Sequence, residues 1–181
     1  MEKLVTETYV KYTLPGVAPT ATCIVVDLDD TIARYCKVRR LSRCHEFDPM
    51  PEVLDKVLDC QRRGVSVVIA TARPAWTCDK TFDWLQNHGV VASAVYFRNP
   101  RAQSVPPHEV KRQMLLDILT QWRVERFWDD SMLNCLAVRD LGVPVTWVEG
   151  NESYWLARSE REGWSVPTDW RAILKGESVP M

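Results

Sequence analysis

The sequence predicts an α/β protein with a doubly wound parallel sheet of about five strands, of the Rossmann-like type. Three observations predict this fold. Continuous apolar runs rich in β-branched residues recur along the chain, as in strands that are buried on both faces. Amphipathic stretches that end at glycines alternate with these runs. A length of 181 residues suits one domain. Strands that alternate with helices form parallel sheets through right-handed crossovers.

The predicted elements follow one another from residue 22 onward. Residues 1–20 end in a segment with two prolines and a glycine and are expected to form an irregular lead-in. The predicted strands are Thr22–Leu28, Val65–Ala70, Ala92–Phe97, Val124–Trp128 and Val143–Val148. The predicted helices run from Pro51 to Gly64, from about Thr77 to His88, from His108 to Trp122, and from Asp130 or Ser131 to about Leu141. These elements define a core domain over residues 21–149.

The last stretch, residues 150–181, departs from the alternation of strands and helices. It contains Trp155, Trp164 and Trp170. We expect it to be a tail that packs its tryptophans on the core, because it is too short for a core of its own. The alternative is a separate binding module.

The composition excludes several classes of protein. Apolar residues make up 46% and charged residues 26%, as in ordinary globular proteins and unlike disordered chains or fibres. A net charge of -1 argues against a protein that coats nucleic acid by charge alone. No secretory leader or membrane-spanning run is visible, so we expect a cytoplasmic protein without membrane contact. The six cysteines include no C-x-x-C pair and are expected to be reduced thiols.

Short polar groups follow three of the predicted strands. The first strand leads into Asp27-Leu28-Asp29-Asp30-Thr31, the second into Thr71-Ala72-Arg73-Pro74 and the fourth into Asp129-Asp130-Ser131. Lys111 lies near the start of the helix before the fourth strand. Ligands of open α/β sheets bind at the carboxyl ends of the strands. Carboxylates packed together repel one another unless a cation neutralises them. Oxygen ligands without His or Cys favour magnesium over zinc.

A magnesium ion beside a carboxylate suits phosphoryl transfer. The ion and a lysine offset the charge of a phosphate, so that an anionic nucleophile can approach it. The carboxylate can then form an aspartyl-phosphate. A second acid two residues away can protonate the leaving oxygen and later deprotonate water.

The motif Asp27-x-Asp29-x-Thr31, followed by Thr71, Lys111 and Asp129-Asp130, resembles the four-motif signature of haloacid dehalogenase-like phosphohydrolases. The resemblance covers roughly residues 22–148. Within that superfamily, Thr71-Ala72-Arg73-Pro74 and Trp128-Asp129-Asp130-Ser131 are most similar to the 3′-phosphatase domain of phage polynucleotide kinase-phosphatase. No P-loop motif for a kinase occurs, so the expected activity is that of a phosphatase alone.

The resemblance implies a role for each matching residue. Asp27 is the nucleophile, and Asp29 is the general acid and base. The implied magnesium ligands are Asp27, the backbone carbonyl of Asp29, Asp129 and Asp130. Thr71 contacts the phosphoryl oxygens and Lys111 neutralises them. Arg73 helps to bind the substrate phosphate, and Thr31 belongs to the substrate-binding side of the first motif.

The segment from Arg34 to Arg43 is rich in arginine and directly follows the nucleophile loop. It is either a solvated loop or a basic rim that binds phosphates through residues such as Arg39 and Arg40. The two interpretations are equally supported by the sequence.

The spacing of the motifs leaves little room for a cap domain. About forty residues separate Asp27 from Thr71, and about forty separate Thr71 from Lys111. Family members without a large cap often act on bulky phosphorylated polymers. The expected partner is therefore a phosphorylated nucleotide or nucleic-acid end, and the first prediction is a 3′-phosphatase. The alternatives are a 5′-nucleotidase or small phosphate-ester phosphatase, and a non-catalytic phosphate- or nucleic-acid-binding module. The oligomeric state stays open.

Overall fold

A computed structural model of the protein describes residues 1–16, 20–35 and 40–175 together with a last strand, Ser178–Val179. Ten strands and six α-helices occur in these residues. The strands are β1 Glu2–Val5, β2 Tyr9–Thr13, β3 Thr22–Val26, β4 Ala33–Arg34, β5 Asp48–Pro49, β6 Ser66–Pro74, β7 Ala92–Arg98, β8 Arg123–Asp129, β9 Val145–Val148 and β10 Ser178–Val179. The helices are α1 Pro51–Arg62, α2 Cys78–Asn87, α3 Pro107–Leu119, α4 Met132–Arg139, α5 Glu152–Glu162 and α6 Trp170–Leu174.

The main sheet has the order β1-β2-β7-β6-β3-β8-β9-β10. Its centre, from β7 to β9, consists of the five predicted strands, and all of them run parallel. The predicted α/β fold is therefore confirmed. The sheet is larger than predicted, because eight strands are present in the described part of the chain. The additional strands are β1 and β2 at one edge and the short β10 at the other.

The prediction of an irregular lead-in is wrong for residues 2–13. β1 and β2 form an antiparallel hairpin, and β2 pairs antiparallel with β7. Lys11 interrupts the apolar pattern of β2, so the strand was not predicted from the sequence. In the structure its ammonium group reaches the carboxylate of Asp117 on α3 at 3.0 Å and lies 5.3 Å from the ring centroid of Tyr96. A lysine with these partners can be buried inside a strand.

Helices cover both faces of the sheet. On one face, α1 and α2 bury residues such as Val57 and Trp84 against the strands. On the other face, α3, α4 and α6 bury residues such as Met114, Cys135 and Leu174. Trp170 of the tail packs edge-on against Trp147 of β9, with ring centroids 5.0 Å apart. The division into lead-in, core and tail stays a prediction.

The chain between β3 and α1 is short. In its described residues it contains the small hairpin of β4 and β5 and one 3-10 helix, Leu41–Glu46. No helix in the described residues has the length and apolar character required to cross a bilayer. The five cysteines of the described residues are all free thiols.

Candidate active site

The carboxyl ends of β3, β6 and β8, with the residues that follow them, meet at one edge of the sheet. β3 lies between β6 and β8, so the three polar motifs are brought together, as the sequence predicts. They open into a cavity of about 390 Å³. Its lining includes Asp27, Asp29, Asp30, Tyr35, Leu41, Thr71, Ala72, Arg73, Asp130, Asn134, Asn151, Tyr154, Trp155 and Arg158.

Asp27 follows β3 and lines this cavity, with 6% of its surface exposed. The ammonium group of Lys111 on α3 lies 2.5 Å from Asp27 Oδ1 and 3.0 Å from Asp129 Oδ2. The same group donates to the carbonyl oxygen of Ala70 on β6. Lys111 thus connects three neighbouring strands through one fully buried cation.

The charges of this cluster perturb one another. Burial raises the pKa of Asp27 to about 7, against the lowering effect of Lys111 and with a further rise from Asp129. Burial by itself would lower the pKa of Lys111, but the carboxylates of Asp129 and Asp27 raise it above its usual value. Burial raises the pKa of Asp130 well above its usual value, and repulsion from Asp129 and Asp27 adds to this rise. The positive charge of Lys111 therefore does not balance the negative charges of the three carboxylates when all are ionised.

Asp27, Asp129 and Asp130 offer carboxylate oxygens that all lie within 4.8 Å of one another. We call these three residues the aspartate cluster. Its donors are hard oxygen atoms, and its excess negative charge requires a cation, so the residues fit a divalent ion such as magnesium. Three of the four predicted metal ligands, Asp27, Asp129 and Asp130, thus lie together, and the assignment of these residues and of Asp29 as ligands stays a prediction.

Asp129 and Asp130 are adjacent in sequence but have different partners. The side-chain amide of Asn134 donates to both oxygens of Asp129 at 3.0 Å, and the backbone amide of Ser131 donates to Oδ1 at 2.9 Å. Ser131 also begins α4, where its side chain accepts a hydrogen bond from the backbone of Asn134. The predicted cap at the start of this helix is present.

Asp130 points instead toward the tail. Its Oδ2 accepts hydrogen bonds from Nδ2 of Asn151 at 2.9 Å and from Nε1 of Trp155 at 2.8 Å. Its carbonyl oxygen accepts one from the indole of Trp147. Asn134 and Asn151 were not predicted as site residues from the sequence. The only signal for Asn134 is its place in the first turn of the helix that follows the acidic pair.

Asp29 and Arg73 form a close ion pair. Arg73 Nη2 lies 2.6 Å from Asp29 Oδ1, and Nε donates to both oxygens of the carboxylate. The third nitrogen of the guanidinium donates to Thr81, and the whole side chain is 1% exposed. Thr71 lies beside this pair, and its hydroxyl accepts a hydrogen bond from the backbone amide of Arg73 at 3.1 Å.

The first motif turns sharply at Asp30, which has a left-handed φ of 57°. The Asp30 side chain accepts a hydrogen bond from the backbone amide of Tyr35 and closes the turn. Thr31, predicted on the substrate side, is instead fully buried, and its hydroxyl finds no hydrogen-bond partner in the described residues.

The predicted basic rim is only partly described. Arg39 lies outside the described residues. Arg40 is exposed immediately before the 3-10 helix and is not among the residues that line the cavity, although the adjacent Leu41 is.

Helix α5 forms one wall of the cavity. It contributes Tyr154, Trp155 and Arg158, and Asn151 lies just before it. The sequence predicts that the tryptophans of this region pack on the core, with a separate binding module as the alternative. The structure places Trp155 in direct contact with the aspartate cluster through Asp130.

Comparison with solved structures identifies similar folds. A structure of the Pnkp1/Rnl/Hen1 RNA repair complex has a TM-score of 0.66 and 15% identity, and covers 75% of this chain and 47% of the other. This chain therefore spans about half of that protein. A putative HAD-like phosphatase from Mesorhizobium loti has a TM-score of 0.64 and 16% identity, and covers 91% and 98% of the two chains.

A third similar structure holds ligands. The D,D-heptose 1,7-bisphosphate phosphatase from B. bronchiseptica, in complex with magnesium and phosphate, has a TM-score of 0.53 and 19% identity, and covers 86% and 97% of the chains. No curated protein matches the sequence. Residues 21–152 match the family described as the polynucleotide kinase PNKP phosphatase domain. Since this match covers most of the chain, the protein belongs to that family of haloacid dehalogenase-like phosphatases.

Proposed function

We propose that the protein is a magnesium-dependent phosphomonoesterase that forms an aspartyl-phosphate on Asp27 and removes 3′-phosphates from nucleic-acid ends or nucleotides. The observation that carries the proposal is the position of Asp27. Its carboxylate opens to the cavity, touches Lys111 at 2.5 Å and shares the aspartate cluster with Asp129 and Asp130. An oxygen nucleophile, a fixed cation and a metal-binding group thus converge where a phosphate can enter.

The carboxylates of Asp27 and Asp130 and the backbone carbonyl of Asp29 are the groups that would hold magnesium, with Asp129 directly or through water. When bound, the ion offsets the negative charge of the phosphoryl group and of the carboxylates around it. Asn134, Asn151 and Trp155 fix the acidic side chains in place, as outer partners of metal ligands commonly do.

In the first step, an oxygen of Asp27 forms a bond to phosphorus while the ester P–O bond breaks. The leaving oxygen takes a proton from Asp29. In the second step, water attacks the phosphorus of the aspartyl-phosphate and gives a proton to Asp29. Inorganic phosphate leaves and the Asp27 carboxylate is restored. The ion pair with Arg73 fixes the position of the Asp29 side chain, which exchanges the proton in both steps.

Lys111 and Thr71 complete the site. Lys111 orients Asp27 through one carboxylate oxygen and supplies positive charge against the phosphoryl group. Thr71 lines the cavity beside Asp27, so that its hydroxyl is placed to contact a phosphoryl oxygen. Arg73 is held mainly by Asp29 and Thr81, and we assign it the role of positioning Asp29.

Three observations support a nucleic-acid substrate. The family match is to a polynucleotide kinase phosphatase domain, and one similar fold belongs to an RNA repair complex. In the described residues, only a short hairpin and a 3-10 helix lie between the nucleophile loop and α1, which leaves the cavity accessible to a polymer end. A 5′-nucleotidase or small-ester phosphatase remains the second candidate, because the same catalytic groups serve any phosphomonoester.

The test is phosphate release by the purified protein in magnesium buffer. The substrates are one oligonucleotide phosphorylated at its 3′ end, the same oligonucleotide phosphorylated at its 5′ end, and 3′- and 5′-mononucleotides. We expect the highest kcat/KM on the 3′-phosphorylated oligonucleotide and loss of release with EDTA. Equal or faster use of 5′-mononucleotides would overturn the 3′ assignment. Undiminished release in EDTA would overturn the role of the metal.

A further inference from the structure

One wall of the cavity consists of aromatic and basic side chains. Hydrolysis of a phosphomonoester does not by itself require aromatic residues at the site. Tyr154 lines the cavity and is 53% exposed. Its ring meets that of Trp155 edge-on, with centroids 5.1 Å apart. Trp155 in turn donates a hydrogen bond to Asp130, so that the aromatic wall begins directly at the aspartate cluster.

Arg158 is held in a fixed position on this wall. Its guanidinium lies over two indole rings, 5.5 Å from the centroid of Trp155 and 5.2 Å from that of Trp164. It also donates a hydrogen bond to the hydroxyl of Tyr154 at 3.3 Å. Trp164 is supported from behind by an edge-on contact with His108 at the start of α3. The ring of Tyr154 and the charge of Arg158 are therefore organised before any substrate arrives.

An exposed aromatic ring beside a buried acidic cluster offers a stacking surface to a planar group. Base stacking on an aromatic side chain is tolerant of sequence, because every base has a π face. A fixed arginine beside that ring suits a phosphate, whose oxygens match the planar guanidinium. A nucleic-acid end carries a planar base next to its terminal phosphate and a phosphodiester one step further along the chain.

Resting on the proposed function, we infer that Tyr154 stacks on the base of the nucleotide whose phosphate is removed, and that Arg158 pairs with the next phosphodiester of the strand. The wall of α5 is thus the part of the cavity that distinguishes a nucleic-acid end from a small phosphate ester.

The base is tested with two oligonucleotides of the same length, both phosphorylated at the 3′ end. One ends in an ordinary nucleotide and the other in an abasic tetrahydrofuran residue. We expect the wild type to prefer the base-bearing end by about 10-fold in kcat/KM, in line with the size of stacking effects. Tyr154→Ala removes most of this preference and Tyr154→Phe, which keeps the ring, retains it. Leu156→Ala, on the same helix but away from the cavity, keeps the wild-type ratio.

The phosphodiester is tested by comparing the oligonucleotide with a 3′-mononucleotide, which lacks that group. Arg158→Gln raises the KM for the oligonucleotide about 5- to 10-fold more than the KM for the mononucleotide, since one charged contact is lost. Arg161→Gln, which removes an exposed arginine outside the cavity, leaves the ratio of the two KM values as in the wild type.

The outcomes separate this inference from the function on which it rests. If the wild type acts equally on base-bearing and abasic ends, the stacking contact is overturned while the 3′-phosphatase stands. A uniform effect of Arg158→Gln on both substrates overturns the phosphodiester contact. If the wild type releases no phosphate from any oligonucleotide or 3′-mononucleotide, the proposed function itself fails, and the inference fails with it.

Discussion

The indole Nε1 of Trp155 donates a hydrogen bond of 2.8 Å to Oδ2 of Asp130, and this contact joins the tail to the aspartate cluster. Asn151 donates to the same oxygen at 2.9 Å. Asp130 is 4% exposed and is repelled by Asp129 and Asp27, so its carboxylate is stabilised mainly by these two donors. The residues that precede and begin α5 are therefore part of the site and not only a cover for the core.

Replacing Trp155 by Phe removes this hydrogen bond and keeps an aromatic ring. We expect the magnesium concentration for half-maximal phosphate release to rise about 10-fold, because lost outer partners of metal ligands typically weaken metal affinity by 10- to 100-fold. The measurement is the rate of p-nitrophenyl phosphate hydrolysis across a magnesium titration. Trp76→Phe is the matched control, because Trp76 is exposed and does not line the cavity. This variant should keep the wild-type magnesium midpoint. An unchanged midpoint in Trp155→Phe would show that the contact does not support the metal site.

The charge imbalance of the aspartate cluster predicts that a divalent ion stabilises the fold. Magnesium at about 100 times its dissociation constant adds about 2.7 kcal/mol to the free energy of unfolding, which raises Tm by roughly 5–10 °C for a chain of this size. In Asp130→Asn the carboxamide oxygen still accepts from Trp155, but the repulsion is gone. We expect this variant to melt a few degrees above the wild type in EDTA and to lose most of the shift with magnesium.

The control for this measurement is Asp55→Asn, which neutralises an exposed carboxylate on α1. It should follow the wild type under both conditions. If Asp130→Asn has a lower Tm than the wild type in EDTA, the three carboxylates do not destabilise the metal-free protein by repulsion.

Asp27→Asn removes the proposed nucleophile while it preserves the shape of the side chain. We expect kcat for p-nitrophenyl phosphate to fall by at least about 1000-fold, because the amide cannot form the aspartyl-phosphate. Rapid acid quenching of the wild type with a labelled phosphate ester should trap label on the protein, and the same experiment with Asp27→Asn should trap none. Asp79→Asn, at an exposed position of α2, serves as the control. Normal turnover by Asp27→Asn would disprove the assignment.

Arg73 offers a test of positioning against substrate binding. Because its guanidinium is buried on Asp29 and Thr81, Arg73→Gln should lower kcat by about the same factor for p-nitrophenyl phosphate and for a 3′-phosphorylated oligonucleotide. Arg73→Lys restores the charge but not the two-pronged contact, and should recover only part of the loss. A selective rise in KM for the oligonucleotide would return Arg73 to the role of substrate ligand that the sequence resemblance implies.

The positions of the core motifs could be predicted from the sequence because strand order is strongly constrained. The runs that became β3 and β6 are apolar on both faces, which is typical of strands inside a parallel sheet, and the carboxyl ends of parallel strands share an edge. β8 carries the charged residues Glu125 and Arg126 and is less evident from the sequence. Asp27, Thr71 and Asp130 meet at that edge, as expected. Lys111 reaches the same place because α3 begins near the carboxyl end of β6 and β3.

The contribution of α5 could not be predicted in the same way. Ser159 is the only buried residue of α5, so the helix has no apolar stripe. The sequence therefore does not indicate which face of the helix packs against the core. The three tryptophans of the tail indicated packing, which Trp170 does perform. The polar ends of Trp155 and Asn151 belong to the site only because of tertiary contacts, and no local pattern specifies them. The burial of Thr31 has a similar origin, since the turn at Asp30 directs its side chain into the core.

The wall formed by α5 belongs to a different segment of the chain from the three strand ends that hold the aspartate cluster. On the proposed roles, the residues that recognise the organic part of a ligand can therefore change without altering those that act on its phosphate. The segment from Asn151 to Trp164 could be grafted onto a related phosphatase, with its hydrogen bonds to Asp130 kept. Such a graft should change which substrate is selected and leave the phosphoryl-transfer reaction unchanged.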